Sequence, residues 1–440
     1  MQTAPKKVIN GWAMYDWANS VYNLVITTTI FPAYYVGITS KGNSNGKHYV
    51  DFFGRQFINT SLLDYALALV FLIVAISSPV LSSIADYRRN KKVYLRWFCF
   101  LGAAACCGLF FFTPQRIEFG IVLFSLAALG YWGSLVFYNS YLPDIAAPED
   151  QDRVSAKGYA LGYVGSVLLQ MICFVIIVKP SWFGLNPADP TLGVRISFLL
   201  TGLWWFGFAQ LTLRVLPLPS RKERKSRKNV FTNGFHELSL VFGQLKHIPV
   251  LRRFLLSFFL YSMGVQTVML VAAGFSKKEI FPEVKDEPKL LFTLILIQLV
   301  AIAGAVLMSR ISKRLGNLNV LIVAVVIWIF VCISAYYVQT QGQFYFLAAV
   351  VGLVMGGIQS MSRSTYSKFL PETKDSTSFF SFYDVTEKIA LVIGLFSFGF
   401  IEDITGSIRN SVIVLIVFFA LSLVALLYTK RAVITRTSSF

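Results

Sequence analysis

The first long apolar segment of the chain opens with Gly11-Trp12-Ala13-Met14-Tyr15-Asp16-Trp17-Ala18-Asn19-Ser20. From residue 12 to residue 36 the side chains are mostly apolar or aromatic, and a helix of this length crosses a bilayer core of about 30 Å. The carboxylate of Asp16 and the amide of Asn19 lie roughly one turn inside this segment. Because a charge at the centre of a membrane helix costs at least about 2.5 kcal/mol, we expect Asp16 to face protein or water and not lipid.

The composition of the whole chain indicates a membrane protein. Its 440 residues are 55% hydrophobic, with a mean hydropathy of +0.62, which is too apolar for an ordinary soluble enzyme. Twelve spans of about 20 residues each would occupy roughly 240 residues, a little over half of the chain. We therefore predict an all-α, multi-pass membrane protein.

Twelve apolar segments can be read along the sequence, six on each side of a polar interruption. The first six cover about residues 12–36, 62–84, 93–112, 119–142, 155–178 and 196–216. The second six cover about residues 254–274, 291–308, 318–338, 344–361, 379–401 and 412–428. The interruption holds a basic run at 221–228 and an amphipathic segment at 231–245, which we expect to lie in the interface as a short helix. We predict two bundles of six transmembrane helices, residues 1–216 and 251–440, joined by a basic cytoplasmic linker at 217–250.

The net charge of +18 comes from basic residues that lie between the apolar segments and not on a soluble face. If both termini are cytoplasmic, most of the 40 Lys and Arg residues fall in cytoplasmic segments, as the positive-inside rule requires. The loop at 275–288, which would lie outside, opposes this mildly with Lys277, Lys278 and Lys285. We predict an integral protein of the inner or plasma membrane, with both termini cytoplasmic and no nucleic-acid partner.

Several classes of chemistry are excluded by the residue types and their spacing. The five cysteines fall inside predicted spans, and the three histidines, His48, His236 and His247, fall in loops or in the linker. We therefore predict neither a disulfide framework nor a metal site. Without a Ser/His, Cys/His or metal constellation we predict no enzyme activity and no cofactor. The sequence has no Gly-x-x-x-x-Gly-Lys-Ser/Thr phosphate loop, so transport would be facilitated or driven by an ion gradient.

Two turns between spans carry related basic patterns. After span 2, Asp86 is followed by Lys91, and after span 8, Lys313 precedes Arg314 and Gly316. Six plus six spans with such turns resemble the major facilitator superfamily, which is built from two six-helix halves and carries a Gly-x-x-x-Asp-Arg-x-Gly-Arg-Arg signature after span 2. Asp86 and Lys91 fit that signature, while Arg314 and Gly316 keep part of it in the second half, where Lys313 replaces the acid. The alternative is a positively charged loop with one helix-end acid.

Further stretches carry a closer resemblance. Besides the opening stretch, they are Phe137-Tyr138-Asn139-Ser140-Tyr141-Leu142-Pro143, residues 154–163, Gly356-Gly357-Ile358-Gln359-Ser360-Met361-Ser362-Arg363-Ser364, and Phe379-Phe380-Ser381-Phe382-Tyr383-Asp384-Val385. They look like the vacuolar amino-acid effluxer family of autophagy and its bacterial relatives, a branch of the same superfamily, from whose pattern Lys157 departs. The resemblance implies solute transport, of which amino-acid export is one form, and it does not identify the substrate.

The predicted topology places nine polar residues near the cytoplasmic ends of spans 1, 4, 10 and 11. They are Asp16, Asn19, Tyr138, Asn139, Gln359, Arg363, Tyr383, Asp384 and Lys388. Asp384 and Lys388 have i,i+4 spacing and can pair on one helix face. Because buried charges cost least when they are paired, we predict that Arg363 pairs with Asp16 or Asp384 in a cytoplasmic gate coupled to alternating access. The alternative is a set of static helix-end contacts between the bundles.

Recognition of a polar solute would need polar groups deeper in the bundle. Candidates for a substrate cavity are Asn23 and Thr27 in span 1, Tyr261 and Gln266 in span 7, and Gln298 in span 8. The alternative is that these side chains form hydrogen bonds between helices without touching a solute.

The leading hypothesis is a monomeric secondary active transporter that moves a small polar solute across the lipid bilayer by alternating access. If the transport is coupled to protons, Asp16 is the first candidate, because the other membrane carboxylates lie at span ends. The alternative is a non-transporting membrane receptor or scaffold that uses the same bundle fold. Glycine clusters on spans 5 and 10 let helices approach closely, which fits both a rocking and a static bundle.

Overall fold

Long helices dominate the computed structural model, which describes residues 2–40, 48–186, 189–217, 239–282, 287–373 and 375–437. In the first half the helices are α1 Lys6–Thr39, α2 Asn59–Tyr87, α3 Lys91–Gly108, α4 Ile117–Asn139, α5 Gln151–Val178 and α6 Leu192–Val215. In the second half they are α7 Pro249–Glu279, α8 Glu287–Leu315, α9 Asn317–Tyr337, α10 Gln341–Phe369, α11 Ser376–Thr405 and α12 Ile408–Thr437. Each overlaps one of the twelve predicted apolar segments, so the all-α, two-bundle fold is confirmed.

Within the described residues, eleven helices are long and apolar enough to cross a membrane. The exception is α11, which is 30 residues long but carries Asp384, Glu387 and Lys388 in its first half and Glu402 and Asp403 near its end. Its length and its place in the fold match the predicted span 11, and the charges near its two ends set it apart from the other eleven.

Helix α1 is irregular in its middle. It is α-helical over Lys6–Val21, π-helical over Tyr22–Ile30 and α-helical again over Phe31–Thr39. Thr28 and Thr29 donate hydroxyl hydrogen bonds to the carbonyls of Asn23 and Leu24, five residues earlier, at 2.8 and 2.7 Å. Because π-helical turns inside α-helices are frequent at functional sites, this segment is a candidate for solute contact.

Each bundle has its own apolar core. In the first, the rings of Phe31 and Phe124 stack with their centroids 4.2 Å apart, and Trp12 and Trp205 are fully buried. In the second, Trp328 stacks on Phe419 at 5.5 Å. Helices α2 and α11 pack against each other across the two bundles, as do α5 and α8.

Shorter elements join the helices. An antiparallel hairpin, β1 Tyr49–Phe52 and β2 Arg55–Ile58, precedes α2 and pairs Tyr49 with Ile58. Its turn is made by Phe53 and Gly54, both with positive φ. Short 3-10 turns at Leu109–Phe111 and Pro180–Phe183 follow α3 and α5.

The predicted linker is described only in part. The basic run at 221–228 and most of the amphipathic segment at 231–245 lie outside the described residues. From residue 239 to residue 246 the chain is helical, with Val241 and Leu245 buried and Leu240 and Phe242 exposed. This described part of the segment is therefore helical and amphipathic, as predicted.

Candidate functional site

The centre of the interface between the bundles is Arg363 of α10. Its side chain crosses from the second bundle into a pocket formed by α1, α4 and α5, and the residue is 1% exposed. Its Nε donates to Ser155 Oγ at 2.9 Å, its Nη2 donates to the Ser155 carbonyl at 2.8 Å, and its Nη1 donates to Asn139 Oδ1 at 3.1 Å. Nη1 also lies 3.4 Å from Asp16 Oδ2. All of these partners belong to the first bundle.

Aromatic rings complete the surroundings of the guanidinium. Its carbon lies 4.3 Å from the ring centre of Tyr159, 4.9 Å from that of Trp12 and 5.5 Å from that of Tyr138, within the range of cation–π attraction. Tyr138 in turn donates its hydroxyl to Asp16 Oδ2 at 2.7 Å, and Trp12 donates its indole N–H to the Tyr138 carbonyl at 3.0 Å. A buried charge is tolerated when its attraction and hydrogen bonds replace the lost water, and this site provides both.

Gly158 makes the close approach possible. A Cβ at this position would lie 2.4 Å from Asp16 Oδ2 and 3.0 Å from both Arg363 Nη2 and the Tyr138 hydroxyl. Any larger residue would therefore push the ion pair apart. Gly158 belongs to the family-like stretch at 154–163, but the sequence did not indicate that it packs against the ion pair.

The structure brings together four of the nine predicted gate residues: Asp16, Tyr138, Asn139 and Arg363. It also adds Ser155 and Tyr159, which sequence reasoning missed because a serine and a tyrosine in an apolar helix carry no distinctive signal.

The remaining gate residues lie around this centre. Gln359, one turn from Arg363 on α10, accepts from the Tyr163 hydroxyl at 2.6 Å and donates to the Met269 sulfur at 3.1 Å. Asn19 is buried, and its amide nitrogen has no hydrogen-bond partner among the described residues. Tyr383 stacks on Phe258 with ring centres 4.1 Å apart.

A second buried charge cluster lies on α11. Of the two predicted partners of Arg363, Asp384 is not the one the structure selects; its Oδ1 accepts from Lys388 at 3.1 Å, as their i,i+4 spacing predicts. Lys388 also contacts Glu387 Oε2 at 3.1 Å and lies 4.1 Å from the ring centre of Trp132 in α4. The cluster contains two carboxylates and one ammonium group.

A small cavity of about 70 Å³ lies between the bundles, next to this cluster. Three of the five predicted cavity residues, Asn23, Gln266 and Gln298, line it, and Gln266 donates to Glu387 Oε1 at 2.8 Å. The other two do not line it. Thr27 has a buried hydroxyl without a partner among the described residues, and Tyr261 shares a 2.6 Å hydrogen bond with Ser362. The cavity is far smaller than the ~300 Å³ of typical ligand pockets, so it would have to widen to hold a solute.

Two carboxylates join the bundles at the end where α1 begins and α12 ends, here called the terminal end. On one side Asp86, in the last turn of α2, accepts hydrogen bonds from the backbone N–H groups of Ser378 at 2.6 Å and Thr377 at 3.3 Å, at the start of α11. Lys91 adds a bond to Ser376 Oγ at 3.2 Å. The acid of the predicted loop signature thus binds the N-terminus of a helix in the opposite bundle, where a negative charge is favoured.

On the other side the acid again comes from the first bundle. Asp152, in the first turn of α5 and 3% exposed, accepts from Ser312 Oγ at 2.8 Å, Asn317 Nδ2 at 2.7 Å and Lys368 Nζ at 2.7 Å. These donors belong to α8, α9 and α10. The missing acid of the second-half signature is therefore supplied by Asp152 of the first bundle, a residue that the sequence analysis did not identify.

The two residues of the second-half signature, Arg314 and Gly316, are not among the partners of Asp152. Arg314 is exposed, and Gly316 turns the chain between α8 and α9 with a φ of 79°. Among the described residues no group of three or more His, Cys, Asp or Glu side chains could hold a metal ion.

Residues 4–434 match the model of the family described as "Vacuole effluxer Atg22 like". The MFS-type transporter YxiO of Bacillus subtilis (strain 168) is 28% identical over 429 residues, covering 98% of this chain and 96% of that protein. Autophagy-related protein 22-1 of Aspergillus terreus is 26% identical over 460 residues, covering 84% of this chain and 74% of the relative.

Solved structures share the fold at low identity. The xylose:proton symporter XylE superposes with a TM-score of 0.69 at 14% identity, covering 97% of this chain and 95% of that one. The E. coli fucose:proton symporter FucP superposes with a TM-score of 0.68 at 14% identity, covering 96% and 97%. These similarities establish the major facilitator fold.

Proposed function

The chain belongs to the vacuole effluxer Atg22-like family of major facilitator transporters, and from this premise we propose that it is a secondary active transporter that exports amino acids or related small polar solutes. The observation that carries the proposal is the Arg363 site. A charged side chain of one bundle is buried in the other, beside Asp16, at the interface that alternating access must open and close.

In this proposal the Arg363 site is a gate at the terminal end. Opening that end withdraws Arg363 from Asp16, Asn139 and Ser155, so each cycle breaks and remakes these bonds. Protonation of Asp16 would remove the negative charge beside the guanidinium, and this gives a route by which a proton gradient could drive the cycle.

The membrane placement belongs to the same proposal. We place both termini and the linker at 217–250 in the cytoplasm, with bundles at 1–216 and 251–440, in an inner or plasma membrane, and we take the unit to be a monomer. The excess of basic residues in the segments on that side supports this orientation. Asn23, Gln266 and Gln298 would then contact the solute from the central cavity.

The test is exchange of labelled amino acids and related solutes across liposomes that contain the purified protein. Arg363→Gln should abolish flux, because Asp16 then stays buried without its cation, at a cost of about 3–5 kcal/mol in this conformation. Arg363→Lys should also lose most flux, because an ammonium group cannot make the forked bonds to Ser155 and Asn139. Arg195→Gln is the matched control, since Arg195 is an arginine with a largely buried side chain whose partners, the Phe110 carbonyl at 2.7 Å and Asp189 at 3.6 Å, belong to the first bundle alone.

A static role for the pair predicts a different outcome. If the pair only holds the bundles together, the doubly neutral variant Asp16→Asn with Arg363→Gln should fold and transport normally. If it is a gate, that variant should fold, by its thermal unfolding temperature, and fail to couple transport to a gradient. Folded wild-type protein that moves no member of a broad solute panel would favour the receptor or scaffold function.

A further inference from the structure

A surface groove with an unusual lining runs between α5 and α8 at the terminal end. It has a volume of about 610 Å³. The outer part of the groove, at the start of α5 and the end of α8, is lined by five basic residues, Arg153, Lys157, Arg310, Lys313 and Arg314. The inner part, further along the two helices from these ends, is lined by apolar side chains, among them Leu161, Val164 and Val306. The groove therefore changes from cationic to apolar along its length.

The positive charge of the outer part is poorly balanced. Arg310, Lys313 and Arg314 are exposed, and none of them forms an ion pair with a carboxylate in the described part of the chain. Asp150 lies nearby but is paired with Arg153 at 2.9 Å.

Two further observations show how this charge is distributed. The hydrogen bond from Thr3, followed by that from Arg153, holds the pKa of Asp150 below its usual value, and the charge of Lys313 contributes to the same shift. The carboxylate of Asp152 already accepts hydrogen bonds from Lys368 and from two neutral donors of the second bundle. The groove thus presents a net positive charge to its surroundings.

The dimensions of the groove match one leaflet of a bilayer. From Arg153 to Val164 along α5 the rise is about 16 Å at 1.5 Å per residue, close to half of the ~30 Å hydrocarbon core. The cationic part lies at the helix ends, where headgroups are found, and the apolar part lies deeper, where Val164 is 37% exposed on the outer surface. A soluble anion would use only the outer part, whereas a lipid would fill both.

We propose that this groove binds an anionic phospholipid, with its phosphate among the five basic side chains and an acyl chain against Leu161, Val164 and Val306. Basic pockets between membrane helices recognise anionic headgroups in this way. Because α5 and α8 belong to different bundles, a lipid in the groove contacts both, and it stabilises the conformation in which these two helices are close together.

Native mass spectrometry of the whole protein in neutral detergent tests the proposal, with phosphatidylglycerol, phosphatidylcholine and glycerol 3-phosphate as the three probes. Phosphatidylglycerol should bind more tightly than the other two. The variant Arg310→Gln, Lys313→Gln, Arg314→Gln should bind it about a hundredfold more weakly, at roughly fivefold per basic residue removed. If this triple variant does not fold, Lys313→Gln alone should show the fivefold loss.

The matched control is Arg88→Gln, Lys246→Gln, Arg252→Gln, which removes three exposed basic residues near the terminal end but outside the groove. It should leave phosphatidylglycerol affinity within a factor of two or three. Equal losses in both triple variants would overturn the groove in favour of a diffuse attraction. Glycerol 3-phosphate binding as tightly as the lipid would overturn the acyl-chain contact, and equal affinity for phosphatidylcholine would overturn the charge recognition.

Discussion

Replacement of Asp152 by Asn should shift the protein towards the conformation in which the terminal end is open. Asp152 accepts three hydrogen bonds from the second bundle, and one of them comes from the ammonium group of Lys368. Asparagine has nearly the same shape as aspartate but no charge. Its amide nitrogen is a donor, so it would face another donor where the carboxylate oxygen accepts a hydrogen bond. In the alternating-access cycle that we propose, these bonds break when the terminal end opens, so their loss would raise the free energy of the closed state alone.

The magnitude follows from the bonds that are lost. Hydrogen bonds to charged groups contribute about 1.5–3 kcal/mol each, and asparagine can still accept one of the three through Oδ1. The side chain of Lys368 is 21% exposed, so water recovers part of its loss. A net cost of about 2 kcal/mol is the result, which shifts the closed-to-open ratio roughly thirtyfold.

Double electron–electron resonance between spin labels at Glu149 and Leu315 measures this ratio, because both positions are exposed and lie on opposite sides of the α5–α8 contact. The Asp152→Asn distances should move into a longer population. Asp150→Asn is the matched control, because it removes a neighbouring carboxylate whose partners, Thr3 and Arg153, lie in the same bundle. If Asp152→Asn leaves the distances unchanged, or changes them only as Asp150→Asn does, Asp152 does not hold the terminal end closed.

Two further changes test other parts of the structure. Gly158→Ala should lower stability by about 1–3 kcal/mol and weaken transport, because the added Cβ would lie 2.4 Å from Asp16 Oδ2. Thermal unfolding measures this. The control is Gly207→Ala, where an added Cβ would meet no atom within 4 Å, so the change should be neutral or slightly stabilising. Asp150 should contribute a small pH-dependent stability, because the hydrogen bond from Thr3 lowers its pKa in the folded state. That contribution is present above the unfolded pKa of about 3.9 and is lost as the pH falls through the folded value. Unfolding temperatures between about pH 5 and pH 2.5 should therefore fall less steeply for Asp150→Asn, and identical slopes would contradict the assignment.

Much of the fold could be predicted because a membrane imposes a simple pattern on the sequence. Segments of about 20 apolar residues are needed to cross it, and the positions of all twelve helices followed from that requirement. The site was predictable for a related reason. A charge such as Asp16 or Arg363 inside an apolar helix needs a partner, so Arg363 was expected to meet either Asp16 or Asp384 even though they are far apart in sequence.

The rest depended on how helices pack and rotate, which a single sequence does not reveal. The choice of Asp16 over Asp384 as the partner of Arg363 depends on which face α11 turns inward. Thr28 lines the cavity in place of the predicted Thr27, because the π-helical segment has wider, i→i+5 turns and alters which side chains face inward. Asp152 was missed because an acid in the first turn of a helix is ordinary.

Gln359 lies between the Arg363 site and the cavity. It lies one helical turn from Arg363 on α10, and its amide nitrogen contacts the sulfur of Met269, which lines the cavity. Its oxygen accepts from the hydroxyl of Tyr163 in the first bundle. Widening the cavity near Met269 would therefore disturb this contact between the bundles, one helical turn from Arg363. The interior is close-packed and low in compressibility; a solute that enlarges the ~70 Å³ cavity must therefore displace its lining. Since Gln359 and Arg363 lie on the same helix, that displacement would reach the proposed gate without any separate relay. A single helix, α10, would thus respond to the solute at one level and release Asp16 at the next.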